Sequence, residues 1–281
     1  TTKQTVTNTE PTGKILVYKI SENNDKIGGA VFSVTAAEDI KNKAGTTTFY
    51  TKGQEVKKIT TEAGTGIAQI DNLPLGRYNV KEVQAPEGYL LNEKTYTANL
   101  VYKDDETPVI TIEIEGIVNE EPTGTISIIK RDSETGAEAQ GDATLQDAVY
   151  KVYANEDIWN KAHTKQFYTK GDLVATRTTN EKGECQDVTD LPLGKYIVKE
   201  EKSPIGYLID KNEYEVNLQY KDQYTKIVTG KANSTDKVKK MQIHIFKSGI
   251  DEQSGEVQGL EGAEFTIKLK SDVQEALDKG Y

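Results

Sequence analysis

The sequence is poor in the residue types that usually reinforce a small protein or give it a reactive centre. Among 281 residues it has one cysteine, one tryptophan and two histidines. A single cysteine permits no disulfide within the chain, and isolated histidines do not make a zinc site. Long apolar runs are also missing, and the Thr-rich start does not have the pattern of a signal peptide. We therefore expect no metal, no cofactor and no membrane contact from this segment, with anchoring signals lying outside it.

Positive charge is in deficit as well. The chain has 35 lysines and arginines against 45 aspartates and glutamates, a net charge of −10, which argues against nucleic acid as a partner. The sequence shows neither a nucleophile–histidine–acid pattern nor a phosphate-binding loop, so an enzyme acting on an external substrate is the least favoured class. Tyrosine, at 15 residues, is abundant. Short alternating runs separated by Gly, Asn, Asp and Pro are typical of an all-β sandwich or partly closed barrel.

A long duplication organises the chain. The stretch LPLGRYNVKEVQAPEGY, from Leu73 to Tyr89, returns as LPLGKYIVKEEKSPIGY, from Leu191 to Tyr207. The motif EPTG also occurs twice, and a third opening strand follows near the end of the chain without a third LPLG stretch. A repeat of this length indicates tandem domains. We predict a linker at 1–12, a first domain at 13–120, a second at 121–235, and the start of a third, incomplete domain at 236–281.

The same patterns predict the elements within each repeat. One short helix is expected in each complete domain, at Ala36–Lys43 and Ala154–Lys161, and another at Ser271–Asp278 in the third repeat. The connections between domains are short, which favours a semi-rigid rod. In the first repeat we predict strands near residues 14–20, 29–35, 56–60, 66–71, 77–84, 94–102 and 109–119.

Charged residues interrupt the apolar faces of two predicted strands at repeated positions. The first strand of each repeat carries a lysine in register with its apolar face: Lys19, Lys130 and Lys247. In the duplicated stretch, Glu82 and Glu200 continue an apolar face in the same way. A lone lysine at a strand end ordinarily reaches water while its stem covers the core. Three lysines in the same place weaken this interpretation without removing it, and Glu82 and Glu200 raise the same question, since unpaired buried carboxylates are rare.

An asparagine near the end of each complete repeat is a third candidate. Asn119 in GIVN and Asn233 in GKAN each follow a glycine by three residues. Strict alternation does not carry the apolar face to either asparagine, but a bulge at the glycine would turn the side chain inward. A competing aligned pair, Asn99 and Asn217, fits better as outward-facing polar residues.

Together these motifs resemble the B-type domains (prealbumin-like, inverse-immunoglobulin β-sandwiches) of collagen-adhesin-like surface proteins and pilins of Gram-positive bacteria. The resemblance covers nearly all of residues 10–270. It rests on the first-strand lysine before an acidic turn, the Y-x-V-K-E…P-x-G-Y box and the asparagine near the domain boundary. In that family the lysine and the asparagine form an intramolecular isopeptide bond, which the glutamate promotes. The resemblance implies Lys19, Glu82 and Asn119 in the first domain, Lys130, Glu200 and Asn233 in the second, and Lys247 as a third-domain lysine.

The resemblance further implies a structural protein rather than an enzyme. Each domain would react once, on itself, and the tandem domains would form the stalk of an adhesin outside the cell, on the bacterial cell wall. The expected partners are neighbouring domains of the same protein, with host extracellular matrix as a further candidate. A domain that binds host matrix protein or glycan is the main alternative, and an exposed aromatic groove near Trp159 or in the insertion at 138–146 would favour it. A pilin subunit is another alternative, although the Tyr-Pro-Lys motif of pilins is missing.

Overall fold

The computed structural model describes residues 9–268 and 270–279. These residues form two compact units, one ending at Val238 and the other beginning at Lys239. Most of the predicted linker, residues 1–8, lies outside the described part of the chain. The first unit contains two domains of one architecture, each built almost wholly of strands. Within the described ranges, no helix is both long and apolar enough to cross a membrane.

Domain 1 is a β-sandwich whose two sheets share one core. Its strands are β1 (Thr12–Ser21), β2 (Val31–Ala36), β3 (Ile40–Lys41), β4 (Thr48–Tyr50), β5 (Glu55–Thr60), β6 (Ile67–Leu73), β7 (Gly76–Gln84), β8 (Thr95–Leu100) and β9 (Val109–Asn119). One sheet has the order β6-β1-β9 and the other β5-β2-β7-β8, while β3 and β4 pair as a separate ribbon. All seven predicted strands are confirmed.

Domain 2 repeats this arrangement. Its strands are β10 (Thr123–Asp132), β11 (Val149–Ala154), β12 (Ile158–Trp159), β13 (Gln166–Tyr168), β14 (Leu173–Thr178), β15 (Val188–Leu191), β16 (Gly194–Lys202), β17 (Glu213–Leu218) and β18 (Ile227–Asp236). The sheet orders are β15-β10-β18 and β14-β11-β16-β17, and β12 pairs with β13. The prediction of tandem all-β sandwich domains is confirmed.

The cores form because one side of each central strand is apolar. Ile15 and Val17 on β1 are fully buried, and Tyr78 and Val80 on β7 meet them from the opposite sheet. Alternation of burial follows from the period of two along a strand. Cys185 packs at the edge of the core of domain 2, and burial raises the pKa of its thiol to about 12. It therefore behaves as a small apolar residue, as its alignment with the first repeat predicts.

The predicted helices at Ala36–Lys43 and Ala154–Lys161 are wrong, because each segment contains the first strand of a two-stranded ribbon, β3 or β12. In the first, the Asn42 amide accepts a hydrogen bond from Thr47 N–H at 2.9 Å and donates one to Thr46 Oγ1 at 2.9 Å. An asparagine side chain that bonds to residues just beyond it holds a tight turn and competes with helix formation. Asn160 makes the same turn in domain 2. The chain therefore reverses where a helix would have continued.

The first and last strands of each domain are parallel neighbours. β1 runs beside β9 with Lys19 opposite Ile117 and Ser21 opposite Asn119. β10 runs beside β18 with Lys130 opposite Ser234. Residues two apart on a strand share a face. The lysine therefore shares a face with the last-strand residue two positions beyond the lysine's pairing partner. This residue is Asn119 in domain 1 and Asp236 in domain 2.

The second unit, from Lys239 onward, holds only a small amount of regular structure. It contains β19 (Ser248–Ile250), β20 (Val257–Gly259) and the helix α1 (Lys270–Asp278). The helix predicted at Ser271–Asp278 is therefore confirmed. Residues 241–247 do not form a strand here, and Lys247 is exposed.

Candidate cross-linking sites

Domain 1 buries three polar side chains together in its core. Lys19 comes from β1, Glu82 from β7 and Asn119 from β9, and each is about 1% exposed. Lys19 Nζ donates a hydrogen bond to Ile117 O at 3.0 Å, and Asn119 Nδ2 donates one to Glu82 Oε1 at 2.8 Å. Three residues that are distant in sequence are thus brought to one apolar site. The site holds an amine, an amide and an acid.

The amide oxygen of this site is unusual. Asn119 Oδ1 is buried and has no hydrogen-bond partner among the described residues. An unsatisfied buried acceptor is unfavourable by about 1–3 kcal/mol, so the site favours a proton donor for this oxygen. A half-turn of the Asn119 amide would bring Oδ1 to Glu82, which can donate once it is protonated. The same hydrogen bond would polarise the carbonyl carbon toward attack.

A backbone contact fixes the glutamate, and sequence reasoning missed it. Glu82 Oε2 accepts a hydrogen bond from Asn92 N–H at 2.9 Å, and the Asn92 side chain donates to Val118 O at 2.9 Å. The loop after the P-x-G-Y box thereby joins the glutamate to the last strand. Domain 2 repeats the contact, because Asp210 N–H donates to Glu200 Oε2 at 2.7 Å. A hydrogen bond from a main-chain amide leaves no mark in side-chain patterns.

Burial moves both ionisable groups of domain 1 toward their neutral forms. Desolvation lowers the pKa of Lys19 to about 8, against the opposing charge of Glu82. Desolvation also raises the pKa of Glu82, against the charge of Lys19 and the hydrogen bonds from Asn92 and Asn119. A neutral amine is the nucleophilic form, and a protonated carboxyl can act as a general acid. The core therefore favours the protonation states that acyl transfer needs.

These pKa directions predict how bond formation depends on pH. The reactive pair, neutral Lys19 with protonated Glu82, holds one proton in total. Below the raised pKa of Glu82 the pair holds two protons, and above the Lys19 pKa of about 8 it holds none. We expect the rate of bond formation between Lys19 and Asn119 to be constant between these two pKa values and to fall about tenfold per pH unit on either side. Mass time courses during refolding at different pH would measure this profile, and a rate that keeps rising above the Lys19 pKa would contradict it.

Domain 2 has a corresponding site with a different third member. Lys130, Glu200 and Asp236 have fully buried side chains. Lys130 Nζ lies 3.0 Å from Glu200 Oε1 and is in closer contact with Asp236 Oδ2. Burial raises the pKa of Glu200 to about 7 and also raises the pKa of Asp236, against the charge of Lys130. Two carboxyls around one amine favour one shared proton, since an unbalanced buried charge is unfavourable.

The prediction that Asn233 joins this site is wrong in position. Asn233 is exposed and lies opposite Ile129, whereas Asp236 lies two positions beyond the partner of Lys130. In domain 1, the register shifts between Val17 and Lys19, where Gly116 adopts a left-handed φ of 68°. This bulge adds one residue to β9 and turns Asn119 inward. β18 keeps a single register throughout, so alternation leads to Asp236 instead.

The bulge predicts a difference between two deletions. Removing Gly116 should leave Asn119 facing inward, because β9 then pairs as β18 does. Removing the exposed Lys231 from the regular strand β18 should turn Asp236 outward, because a slip of one residue reverses every side chain beyond it. We expect the first variant to keep the loss of ammonia that would accompany a bond between Lys19 and Asn119. The second should lack the loss of water that would accompany a bond between Lys130 and Asp236. Equal behaviour of the two variants in intact-mass measurements would show that the bulge is irrelevant.

Another buried acid of domain 2, Asp132, is engaged elsewhere. It accepts hydrogen bonds from the Tyr207 hydroxyl at 2.7 Å and from Thr135 N–H at 2.9 Å. Burial alone would raise the pKa of Asp132, but these hydrogen bonds hold it well below the usual range. An ionised carboxylate is a poor electrophile. Asp236 is therefore better suited than Asp132 to react with Lys130.

Sequence comparison agrees with this architecture. Residues 13–116 and 124–233 each match the family described as SpaA, prealbumin-like fold domain. The chain belongs to this family. Among curated proteins, the search found no relative.

Solved structures that are similar to this chain include a Bacillus anthracis protein and two streptococcal pilins. The Bacillus anthracis TIE protein is 28% identical with a TM-score of 0.51, over 82% of this chain and 34% of that protein. A streptococcal ancillary pilin is 24% identical with a TM-score of 0.31, over 78% of this chain and 62% of the pilin. The minor pilin GBS52 of Streptococcus agalactiae is 17% identical with a TM-score of 0.29, over 83% and 99%. The chain thus spans about a third of the TIE protein and less than two thirds of the ancillary pilin.

The remaining predicted features lie outside the two cross-linking sites. Trp159 is 38% exposed and stacks on His163 with ring centroids 6.2 Å apart. Near the end of the insertion at 138–146, Leu145 is 2% exposed, and its main-chain oxygen accepts a hydrogen bond from the Thr179 hydroxyl at 2.6 Å. The end of the insertion therefore packs onto domain 2. The predicted outward orientation of Asn99 and Asn217 is confirmed, since both are exposed.

Proposed function

We propose that this chain is part of a stalk on a Gram-positive cell surface, whose two complete domains are each locked by a self-formed isopeptide bond. The proposed bonds join Lys19 to Asn119 and Lys130 to Asp236. One observation carries the proposal: in both cores, an amine from the first strand and an amide or acid from the last strand are buried around one glutamate of raised pKa. The reaction would be maturation and not turnover.

The chemistry of the two bonds differs only in the leaving group. In domain 1, Lys19 Nζ attacks Asn119 Cγ while Glu82 protonates the amide oxygen. The glutamate then relays a proton from the attacking nitrogen to Asn119 Nδ2, the Cγ–Nδ2 bond breaks, and ammonia leaves. In domain 2, the attack is on the carboxyl carbon of Asp236, a carbon–oxygen bond breaks, and water leaves. The resulting amide is neutral, so it also removes the buried charges of lysine and carboxylate.

A bond between parallel first and last strands suits a stalk. Tension that enters domain 1 along β1 reaches Lys19 and could pass directly to Asn119 at the end of β9. The strands between these residues would then carry none of the load. A covalent amide would also replace the disulfides that the sequence cannot form, and reducing agents would not break it.

Intact mass tests this proposal. We expect the folded chain to be lighter than its sequence by one ammonia and one water, which isotopic resolution distinguishes from two molecules of either kind. Asp236→Ala should abolish the loss of water, whereas the matched change Asn233→Ala on the same strand should leave both losses intact. An unshifted mass would refute the cross-links. If Asn233→Ala no longer released a small molecule from domain 2, Asn233 would belong to the site after all.

A further inference from the structure

The contact between domains 1 and 2 is specific. Residues 85–91 of domain 1, here called the exit loop, lie on one end of domain 2. Ala85 N–H donates to Gln223 Oε1 at 2.8 Å, and Leu91 N–H donates to Gln223 O at 2.9 Å. The Tyr220 hydroxyl donates to Tyr89 O at 3.2 Å. Most of this recognition uses main-chain atoms of the exit loop, so it depends on the shape of the loop more than on its side chains.

The same end of domain 2 also receives a glycine. Gly88 lies against the stem of Lys161, where an added Cβ would be 2.7 Å from Cδ. Lys161 is held in place because its N–H donates to Glu121 Oε1 at 2.9 Å. Glycine therefore permits the close approach of the exit loop to this lysine. We call the surface formed by Glu121, Lys161, Tyr220 and Gln223 the docking face of domain 2.

Domain 1 carries a counterpart of this docking face at its own N-terminal end. The corresponding residues are Glu10, Lys43, Tyr102 and Asp105. Lys43 N–H donates to Glu10 Oε1 at 3.2 Å, which repeats the contact between Lys161 and Glu121. Tyr102 is 55% exposed, whereas Tyr220 is partly buried beneath the exit loop. In domain 1 the tyrosine hydroxyl instead contacts Asp105 of its own domain.

A groove lies across this counterpart face. Its volume is about 550 Å³, and its lining includes Glu10, Lys43 and Tyr102 together with apolar Pro74, Leu75 and Leu100. The sequence leading into it also has a parallel inside the chain. The letters NTEPTG, ending at Gly13, repeat NEEPTG, ending at Gly124, through which domain 1 passes into domain 2.

We propose that this groove binds a loop equivalent to the exit loop, and that this loop belongs to another prealbumin-like domain that precedes domain 1 in the same polypeptide. The inference rests on the proposed stalk function and adds the partner of this surface. The counterpart face differs from the docking face of domain 2 by charge exchanges that cancel over four aligned positions. Asp105 and Glu106 replace Gln223 and Tyr224, while Thr9 and Lys41, which line the groove, replace Glu120 and Trp159. The groove therefore suits a loop of the same kind as the exit loop. The corresponding loop of domain 2 is of this kind, since it keeps the proline, glycine and tyrosine as Pro204, Gly206 and Tyr207.

An extended chain tests the proposal. A copy of residues 121–236 placed directly before Thr9 keeps one residue between Asp236 and Glu10, as Glu120 separates Asn119 from Glu121. In the original chain we expect tetranitromethane to nitrate Tyr102 readily and Tyr220 slowly. In the extended chain the nitration rate of Tyr102 should fall to the rate that Tyr220 shows in the original chain. Tyr224, which is 65% exposed, serves as a reference that stays reactive in both chains.

The outcomes separate this inference from the proposed function. Loss of one further water shows that the added copy has folded and reacted, and a Tyr102 that stays reactive in that material would overturn the docking proposal alone. Protection of Tyr102 without any mass loss would instead refute the cross-links and support docking. Protection that appears in the original chain only at high protein concentration would identify a second copy as the occupant, and would overturn docking within one polypeptide.

Discussion

Replacing Lys19 with methionine is expected to lower the free energy of unfolding of domain 1 by about 4–5 kcal/mol, the entropy that a covalent link over a loop of roughly 100 residues removes from the unfolded chain. Methionine keeps an apolar stem of similar length in the core and leaves no unpaired charge behind. Glu82 and Asn119 can still hydrogen-bond to each other in this variant. The loss should therefore reflect the missing bond rather than a cavity.

The measurement has an internal reference. Trp159, the only tryptophan of the sequence, lies in domain 2, so its fluorescence follows that domain and should change little. Hydrogen exchange of strands β1 and β9 would report on domain 1. Lys14→Met makes the same substitution on the same strand at a partly exposed ion pair with Asp71, and we expect an effect within about 1 kcal/mol. Comparable losses in Lys14→Met and Lys19→Met would contradict a cross-link.

Replacing Glu82 or Glu200 with glutamine is expected to slow bond formation in that domain by about 10²–10⁴-fold, the usual contribution of a positioned general acid–base group. Glutamine keeps the shape and the hydrogen-bonding capacity of the side chain but cannot carry a proton between lysine and leaving group. In Glu82→Gln, loss of ammonia should stall while loss of water continues. In Glu200→Gln the reverse should hold.

A time course of intact mass during refolding would measure these rates. The chain purified under denaturing conditions provides the starting point, provided that its mass at time zero shows it unreacted. Glu201→Gln is the matched control, since Glu201 is next to Glu200 but points outward and pairs with Lys151 at 3.1 Å. If Glu200→Gln and Glu201→Gln reacted at the same rate, the glutamate would have no part in the reaction.

Much of this architecture follows from local patterns. Period-two alternation predicted the strands and the inward faces of Lys19, Lys130, Glu82 and Glu200, because burial along a strand is a local property. The duplication strengthened each assignment, since a polar residue on an apolar face is unremarkable once but informative twice. The bulge at Gly116 was also predictable, because glycine readily adopts the left-handed conformation that it needs.

Register was less predictable, and it accounts for the error at Asn233. Aligning Gly230 with Gly116 assumed a bulge in both strands, but Gly230 lies in a regular strand opposite Ile126, close to Val216. Strict alternation from Val228 would have led to Asp236. A glycine in a strand can mark either a bulge or a close contact with another strand. Which of the two applies depends on which strand packs against the glycine, and that is a property of the fold. The ribbons at β3–β4 and β12–β13 were missed for a similar reason, because side-chain hydrogen bonds of Asn42 and Asn160 set those turns.

The unequal third members of the two sites affect what each proposed lock would leave behind if it were opened. Both reactions give the same product, an amide between a lysine Nζ and an aspartyl carbonyl, so water is the reactant that could open either bond. The persistence of both locks would therefore depend on how well the two cores keep water out. Ammonia released from Asn119 is protonated and diluted in the surrounding medium, so opening the first bond would leave an aspartate at position 119 in place of the asparagine. Domain 1 would then hold the same pair of reacting groups as domain 2, and only its first closure would bear the mark of an amide.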